Sequence, residues 1–223
     1  QSLDGIGLML KRSTPLWVGA GLLFAAGYYG FFLLVNPSDV HILGINSHFS
    51  LLRFSLYGMA WFGIALTEET IFRGTIFRTA HVRIGLWTAL LLSALLFGLL
   101  HGLPNPLMIS GTDTQQVDPY LRVMITTLDG LLLGAARIGS GTLWFPIGIH
   151  LGLNFIPVNI LSAPLKIQYP NGVLTIHSSA QLLQTQWQVD VSSLALEALL
   201  LTGFFYLTTI VALLLWGAKR KAF

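Results

Sequence analysis

The chain has 223 residues, of which 54% are hydrophobic and only 9% are Asp, Glu, Lys or Arg. A soluble domain carries roughly 25% charged residues, so this composition excludes a water-facing globule and a disordered chain together. Twelve basic residues against nine acidic ones leave a net charge of +3, which in so apolar a chain marks cytoplasmic helix ends rather than a nucleic-acid surface.

Cysteine is absent, so there is no disulfide frame, no thiolate nucleophile and no cysteine-ligated metal. The first residue is Gln1 rather than Met. A preceding segment is therefore expected to have been removed or left out, and no secretory signal pattern is visible.

Apolar runs of about 20 residues, the length that crosses a hydrocarbon core, predict an all-α polytopic bundle of about six spans. The first is Pro15 to Val35, preceded by Lys11 and Arg12 and ended by Asn36-Pro37-Ser38-Asp39. The second is apolar from Phe49 to Leu66, meets Glu68-Glu69, and continues as Thr70 to Ala80. The third is Ile84 to His101, the fourth about Tyr120 to Ile138, and the fifth about Gly141 to Leu161. The sixth is about Leu194 to Trp216, followed by Lys219-Arg220-Lys221. One integral membrane domain over 1–223 is the simplest organisation.

Arg73, Arg78 and Arg83 cluster around the turn between spans two and three, and Arg137 lies between four and five. The opposite loops, 36–48, 102–119 and 162–193, contain only Lys166. The positive-inside rule then places both termini in the cytoplasm of a plasma (inner) membrane. In the last loop Asn171-Gly172 stands between β-prone residues, a hairpin signal, and a small β-hairpin is expected on the outer face. Trp17, Trp87 and Trp144 fall near span ends, as aromatic-belt anchors do. Gly19, Gly21, Gly27 and Gly30 read as a face for close helix packing. His41, His48, His81 and His177 fall in loops or turns, where solvated roles are expected.

An ionisable group in mid-membrane costs about 2.5–3.5 kcal/mol on insertion scales, so each one is a functional hypothesis by default. Glu68 and Glu69 interrupt an apolar helix, and Arg73 is i,i+4 from Glu69, on the same face. Glu68 points about 100° away and has no cationic partner on its own helix. His101 closes the third span, with Phe97 one turn earlier. His150 and Asn154 share a face of the fifth. Asp129, inside span four, could pair with Arg122 or touch the same cavity.

Taken singly, these groups could be a structural ion pair, an interfacial histidine and helix-to-helix hydrogen bonds. Depth argues for convergence. Measured from a turn near Arg83, Glu68 lies roughly 22 Å deep and His101 roughly 24 Å, while His150 lies about 14 Å along a span that Pro146 should make irregular. A glutamate beside a histidine can activate water, and a second histidine with a carboxamide can donate hydrogen bonds to an oxyanion. That is peptide hydrolysis without a covalent intermediate. The same groups could instead hold a metal ion or haem. No HExxH pair is present, and Ile138-Gly139-Ser140-Gly141 reads as a turn between spans.

Three motifs stand in order. Glu68-Glu69-Thr70-Ile71-Phe72-Arg73 matches EExxxR, Phe97-Gly98-Leu99-Leu100-His101 matches FxxxH, and His150-Leu151-Gly152-Leu153-Asn154 matches HxxxN. Their order and spacing resemble the CPBP family of CAAX proteases and bacteriocin-processing enzymes, also called Abi, over about residues 60–160. The resemblance implies an intramembrane glutamate endopeptidase needing no cofactor. Glu68 would be the base, helped by His101. His150 and Asn154 would form the oxyanion site, and Glu69 and Arg73 would orient them. It also implies a peptide or protein substrate, with or without a lipid tail, and no nucleic-acid partner. CAAX-processing relatives open toward the cytosol, whereas the charge rule sets this cluster nearer the outer side. Two other readings are a non-catalytic immunity or scaffold protein and a metal- or haem-binding membrane protein. Substrate identity and oligomeric state are not legible in the sequence.

Overall fold

The computed structural model describes residues 3–35, 40–45, 49–102, 119–160, 174–178 and 193–220. They are helical apart from one small sheet and short connections. A short turn of helix, α1 (Leu3–Ile6), leads into α2 (Thr14–Val35). Pro15 falls in the first turn of α2, where a missing N–H breaks no helical bond. The Thr14 hydroxyl accepts the Lys11 N–H at 3.0 Å. Next comes α3 (Leu51–Glu69), capped by Ser50, whose side chain accepts the Arg53 N–H. The rod does not end there. It passes through a π-helical stretch, Thr70–Ile76, into α4 (Phe77–Ile84).

Gly85 reverses the chain at φ +84° into α5 (Leu86–Gly102), and Gly141 at φ +71° separates α6 (Pro119–Ser140) from α7 (Trp144–Phe155). Both values lie in the left-handed region that side chains disfavour. A second π stretch, Ile156–Ile160, follows α7, and α8 (Ser193–Arg220) closes the bundle. Each of the six apolar runs is thus a helix near its expected bounds. Of the described residues, Arg122–Ser140 is long and apolar enough by itself to cross a membrane, while Leu86–His101 and Phe205–Lys219 are shorter apolar segments.

The fifth run departs from expectation at Pro146. The helix starts at Trp144, so Pro146 sits in its first turn and interrupts nothing. The irregularity lies instead at Pro157, inside the second π stretch. A proline there removes the N–H that would serve the Leu153 carbonyl. The Tyr29 hydroxyl, from α2, donates to that carbonyl at 2.8 Å.

Helix α6 is the centre of the bundle. Residues 132–139 are all buried, with α5 on one side and α8 on the other. α2 lies against α7, where a Cβ on Gly21 would stand 2.6 Å from the backbone of Gly148, and one on Gly148 would run into the Val18 carbonyl. Only Gly21 of the four α2 glycines makes such a contact; a Cβ on Gly19, Gly27 or Gly30 would meet nothing within 4 Å. Trp144 is also not a belt residue. It is 9% exposed, and its indole N–H donates to Met9 O at 3.2 Å. Trp87, by contrast, is 61% exposed. The outer surface is apolar along α2, α3, α5 and α8, with Leu23, Leu52, Leu100 and Leu207 all more than 60% exposed.

Strand β1 (Val40–Ile45) pairs antiparallel with β2 (Leu174–Ser178), from Val40 opposite Ser178 to Ile45 opposite Leu174, with a register shift between Ile42 and Gly44. The first strand of the expected hairpin lies outside the described residues. The strand after Asn171-Gly172 forms, but its partner comes from the loop after α2, and His41 stands opposite His177. Asn171, Gly172 and Lys166 lie outside the described residues, as do residues 103–118.

Candidate active site

The rod carrying Glu68 and Glu69 changes pitch just beyond them. The Thr70 hydroxyl donates to Leu66 O at 2.6 Å, and Phe72 O accepts both the Phe77 N–H and the Ser93 hydroxyl of α5, the latter at 2.9 Å. A π turn in a helix is uncommon and often sits at a functional site. It leaves Glu69 and Arg73 on one face, as i,i+4 spacing predicts, with Arg73 Nη1 2.9 Å from Glu69 Oε1. Both side chains are 0% exposed. The other end of the guanidinium, Nη2, donates to Gly130 O on α6 at 3.0 Å. Its Cζ lies over the Phe97 ring, 4.4 Å from the centroid.

Glu68, turned away from that pair, meets both histidines. Its Oε2 is 3.2 Å from His101 Nε2 and 3.6 Å from His150 Nε2. His101 is anchored by its other nitrogen, Nδ1, 2.8 Å from Phe97 O. A carbonyl only accepts, so Nδ1 carries the proton and Nε2 is presented to Glu68. His150 Nδ1 is 3.0 Å from Glu69 Oε1. Five of the six candidate residues therefore touch one another across α3, its π stretch, α5 and α7. Asn154 is half-buried one turn beyond His150, and its side chain makes no hydrogen bond among the described residues.

Exposure divides the group. Glu68 and His101 keep 25% and 20% of their side-chain surface, whereas His150 keeps 8% and Glu69 and Arg73 none. Of these five, Glu68 and His101 form the edge most open to an incoming molecule. Among the described residues no group of three or more His, Asp or Glu is arranged to hold a metal ion. A cavity of about 430 Å³ elsewhere, walled in part by Gly7, Lys11, Trp17, Ser140 and Trp144, contains none of the six residues.

Sequence reading did not give Phe97 its due. The ring touches three site residues: besides Arg73, it lies 4.2 Å from the His101 ring and edge-to-face with His150 at 5.8 Å. Its position one turn before His101 was the available signal. The contacts of Gly130 and Tyr29 with this machinery had no local signal at all.

Residues 49–156 match the family described as type II CAAX prenyl endopeptidase Rce1-like. This segment, just under half of the chain, is similar to that family. The match bears out the resemblance seen in the three motifs, and the Rce1-like segment contains all six candidate residues. Rce1-like proteins are proteases of membranes. The segment takes in α3 through α7 and leaves α2 and α8 outside. Neither a curated protein nor a solved structure matches the chain.

Proposed function

We propose that the protein is an intramembrane glutamate endopeptidase. The observation that carries this reading is one carboxylate, Glu68, held within 3.6 Å of two histidine Nε2 atoms while a quarter of it stays exposed. In the proposed reaction Glu68 takes a proton from a water at the open edge, with His101 sharing that proton. The hydroxide adds to the substrate carbonyl carbon, and the oxyanion formed accepts hydrogen bonds from His150 and the Asn154 amide. The proton then passes from the Glu68–His101 pair to the leaving nitrogen as the C–N bond breaks. Glu69 and Arg73, fully enclosed, hold His150 in place.

On this reading six helices (α2, the α3–α4 rod, α5, α6, α7 and α8) cross the bilayer. Both termini then lie on the cytoplasmic side of an inner membrane, an orientation that the basic residues near the chain ends support. The apolar outer surfaces of α3 and α5 on either side of Glu68 and His101 suit a lipid-tailed peptide arriving from the bilayer. No metal takes part.

The test is cleavage of fluorogenic peptides, prenylated and unprenylated, by purified wild type and Glu68→Gln, with and without chelator. Cleavage lost in Glu68→Gln and indifferent to chelator is the expected result. Undiminished cleavage by Glu68→Gln overturns the mechanism. Loss of cleavage with chelator moves the histidines to a metal, and a folded protein that cleaves nothing favours an immunity or scaffold role.

A further inference from the structure

The cavity of about 430 Å³ that holds none of the six site residues lies where α2 begins and α6 turns into α7. Lys11, Ser13 and Thr14 form one wall, and Ser140, Thr142 and Trp144 the other. The strand of chain before α2 is tied to that turn. Gly7 O accepts the Leu143 N–H at 3.0 Å and the Thr142 hydroxyl at 3.3 Å, and Met9 O accepts the Trp144 indole N–H at 3.2 Å. The cavity is therefore framed by fastened backbone, and its volume falls in the range of small-ligand pockets, about 300–1,000 Å³.

Its charge is one-sided. The Lys11 ammonium and the Ser13 hydroxyl have no hydrogen-bond partner among the described residues. The buried Arg137 guanidinium stands behind Gly7, within 3 Å of where a Cβ on that glycine would be, and Arg78 stands likewise against Gly5. The end of α8 joins them, with the Trp216 ring 5.9 Å from that of Trp17 and Lys219 within the next turn. In residues 1–13, 77–85, 137–143 and 217–223, which make up this end of the bundle, Asp4 is the one acid against eight Lys and Arg. Such a field concentrates anions. Orientation in a membrane asks for basic residues at the surface, but not for a cavity lined by hydroxyls beside them. Its mouth is also amphipathic: Leu10 and Leu16, 75% and 74% exposed, flank Lys11 and Ser13. Basic pockets between membrane helices hold phosphate headgroups in this way, with the acyl chains outside.

We propose that this cavity binds a phosphate group, held by the Lys11 ammonium and the Ser13 hydroxyl. The group belongs to a lipid headgroup, whose chains lie over Leu10 and Leu16, or to a free phosphate. The lipid form rests on the reading of the helices as membrane spans; neither form rests on the protease chemistry.

The test is native mass spectrometry of the full chain, purified in detergent and titrated with dihexanoylphosphatidylglycerol, with dihexanoylglycerol, which lacks the phosphate, with glycerol 3-phosphate and with inorganic phosphate. Wild type is compared with Lys11→Gln, with Ser13→Phe, which fills the cavity, and with Arg83→Gln, which removes an exposed charge of the same end outside the cavity. Melting temperatures establish which variants are folded. Lys11 is exposed, so Lys11→Gln is expected to melt with wild type.

One phosphate-bearing probe per chain is expected. Its affinity should fall by about 10-fold or more in Lys11→Gln, the loss of a charge-assisted hydrogen bond, and stay within about threefold in Arg83→Gln. A folded Ser13→Phe should bind none. Phospholipid bound without either water-soluble phosphate assigns the site to a headgroup, whereas glycerol 3-phosphate or inorganic phosphate bound as tightly assigns it to a free phosphate. Dihexanoylglycerol bound as tightly as the phospholipid, equal losses in Lys11→Gln and Arg83→Gln, binding retained in Ser13→Phe, or no phosphate probe bound by wild type would each overturn the proposal. Cleavage is not read, so these outcomes stand whether or not the protease reading does.

Discussion

His150 Nδ1 lies 3.0 Å from Glu69 Oε1. That oxygen also takes Arg73 Nη1 at 2.9 Å, so one enclosed carboxylate orients an imidazole and neutralises a guanidinium at once. The neighbouring Glu68 has the opposite situation, a quarter exposed and facing two rings. In the proposed mechanism the adjacent glutamates thus take a structural and a chemical role.

This separation predicts a crossed result. Glu69→Ala strands the buried Arg73 charge and should destabilise the protein by about 3–5 kcal/mol, as breaking a buried pair does. Glu68→Gln removes no such pair and should melt close to wild type while losing cleavage by about 100-fold or more. Thermal unfolding and peptide cleavage on the same preparations give both numbers. Equal stability losses in the two variants would contradict the division.

Arg73→Lys should not rescue Arg73→Ala. The guanidinium reaches Glu69 and Gly130 O with different nitrogens and lies over the Phe97 ring. An ammonium is a point charge and cannot span all three. Melting temperature and cleavage are both expected to fall in the lysine variant, and near-wild-type values would show that charge alone matters.

Tyr29→Phe tests the end of α7. The lost hydroxyl leaves Leu153 O, next to Asn154, with one donor fewer. The expected loss is about 1 kcal/mol, the net value of one such bond. Because the tie lies beside Asn154, cleavage should fall further than the stability change explains. Comparison of kcat per folded molecule in the two proteins decides it.

Much of this was legible in the residues. A run such as Pro15 to Val35 can only be a helix if it lies in lipid, so the helices follow from length and composition. The Glu69–Arg73 pair follows from i,i+4 spacing, and the meeting of Glu68 with His101 from counting rise on either side of a turn. The partner of strand Leu174–Ser178 did not follow, because nothing in that strand specifies a mate more than a hundred residues earlier in the chain. Asp129 was noticed as out of place, but the tie beside it, from Gly130 O to Arg73, follows only once α6 is packed against the rod. The glycines of α2 all looked alike, and only the approach of α7 distinguishes Gly21 from the rest.

That distinction gives a matched pair of substitutions. Gly148→Ala drives a methyl group into the Val18 backbone and should cost about 1–3 kcal/mol, the usual cost of overpacking. It should also impair cleavage, since His150 is two residues on. Gly19→Ala meets open space and gains helix propensity, so its stability should stay level or rise by up to about 1 kcal/mol. Unfolding measurements that fail to separate the two would mean that α2 does not approach α7 as closely as described.

The π stretch at Thr70–Ile76 has one more consequence. A π turn is an α-helix carrying an extra residue, so the helix on either side of it runs in a different phase. The two carboxylates belong to the first phase, while Phe77, which packs against Ala89 and Leu90, belongs to the second. For a deletion of one residue between Glu69 and Phe77, the helix would continue unbroken and every side chain on one half would be rotated by about 100° relative to the other. The site and the packing of α4 are thus set to each other by a single inserted residue, and losing it would put them out of step without removing any atom of either.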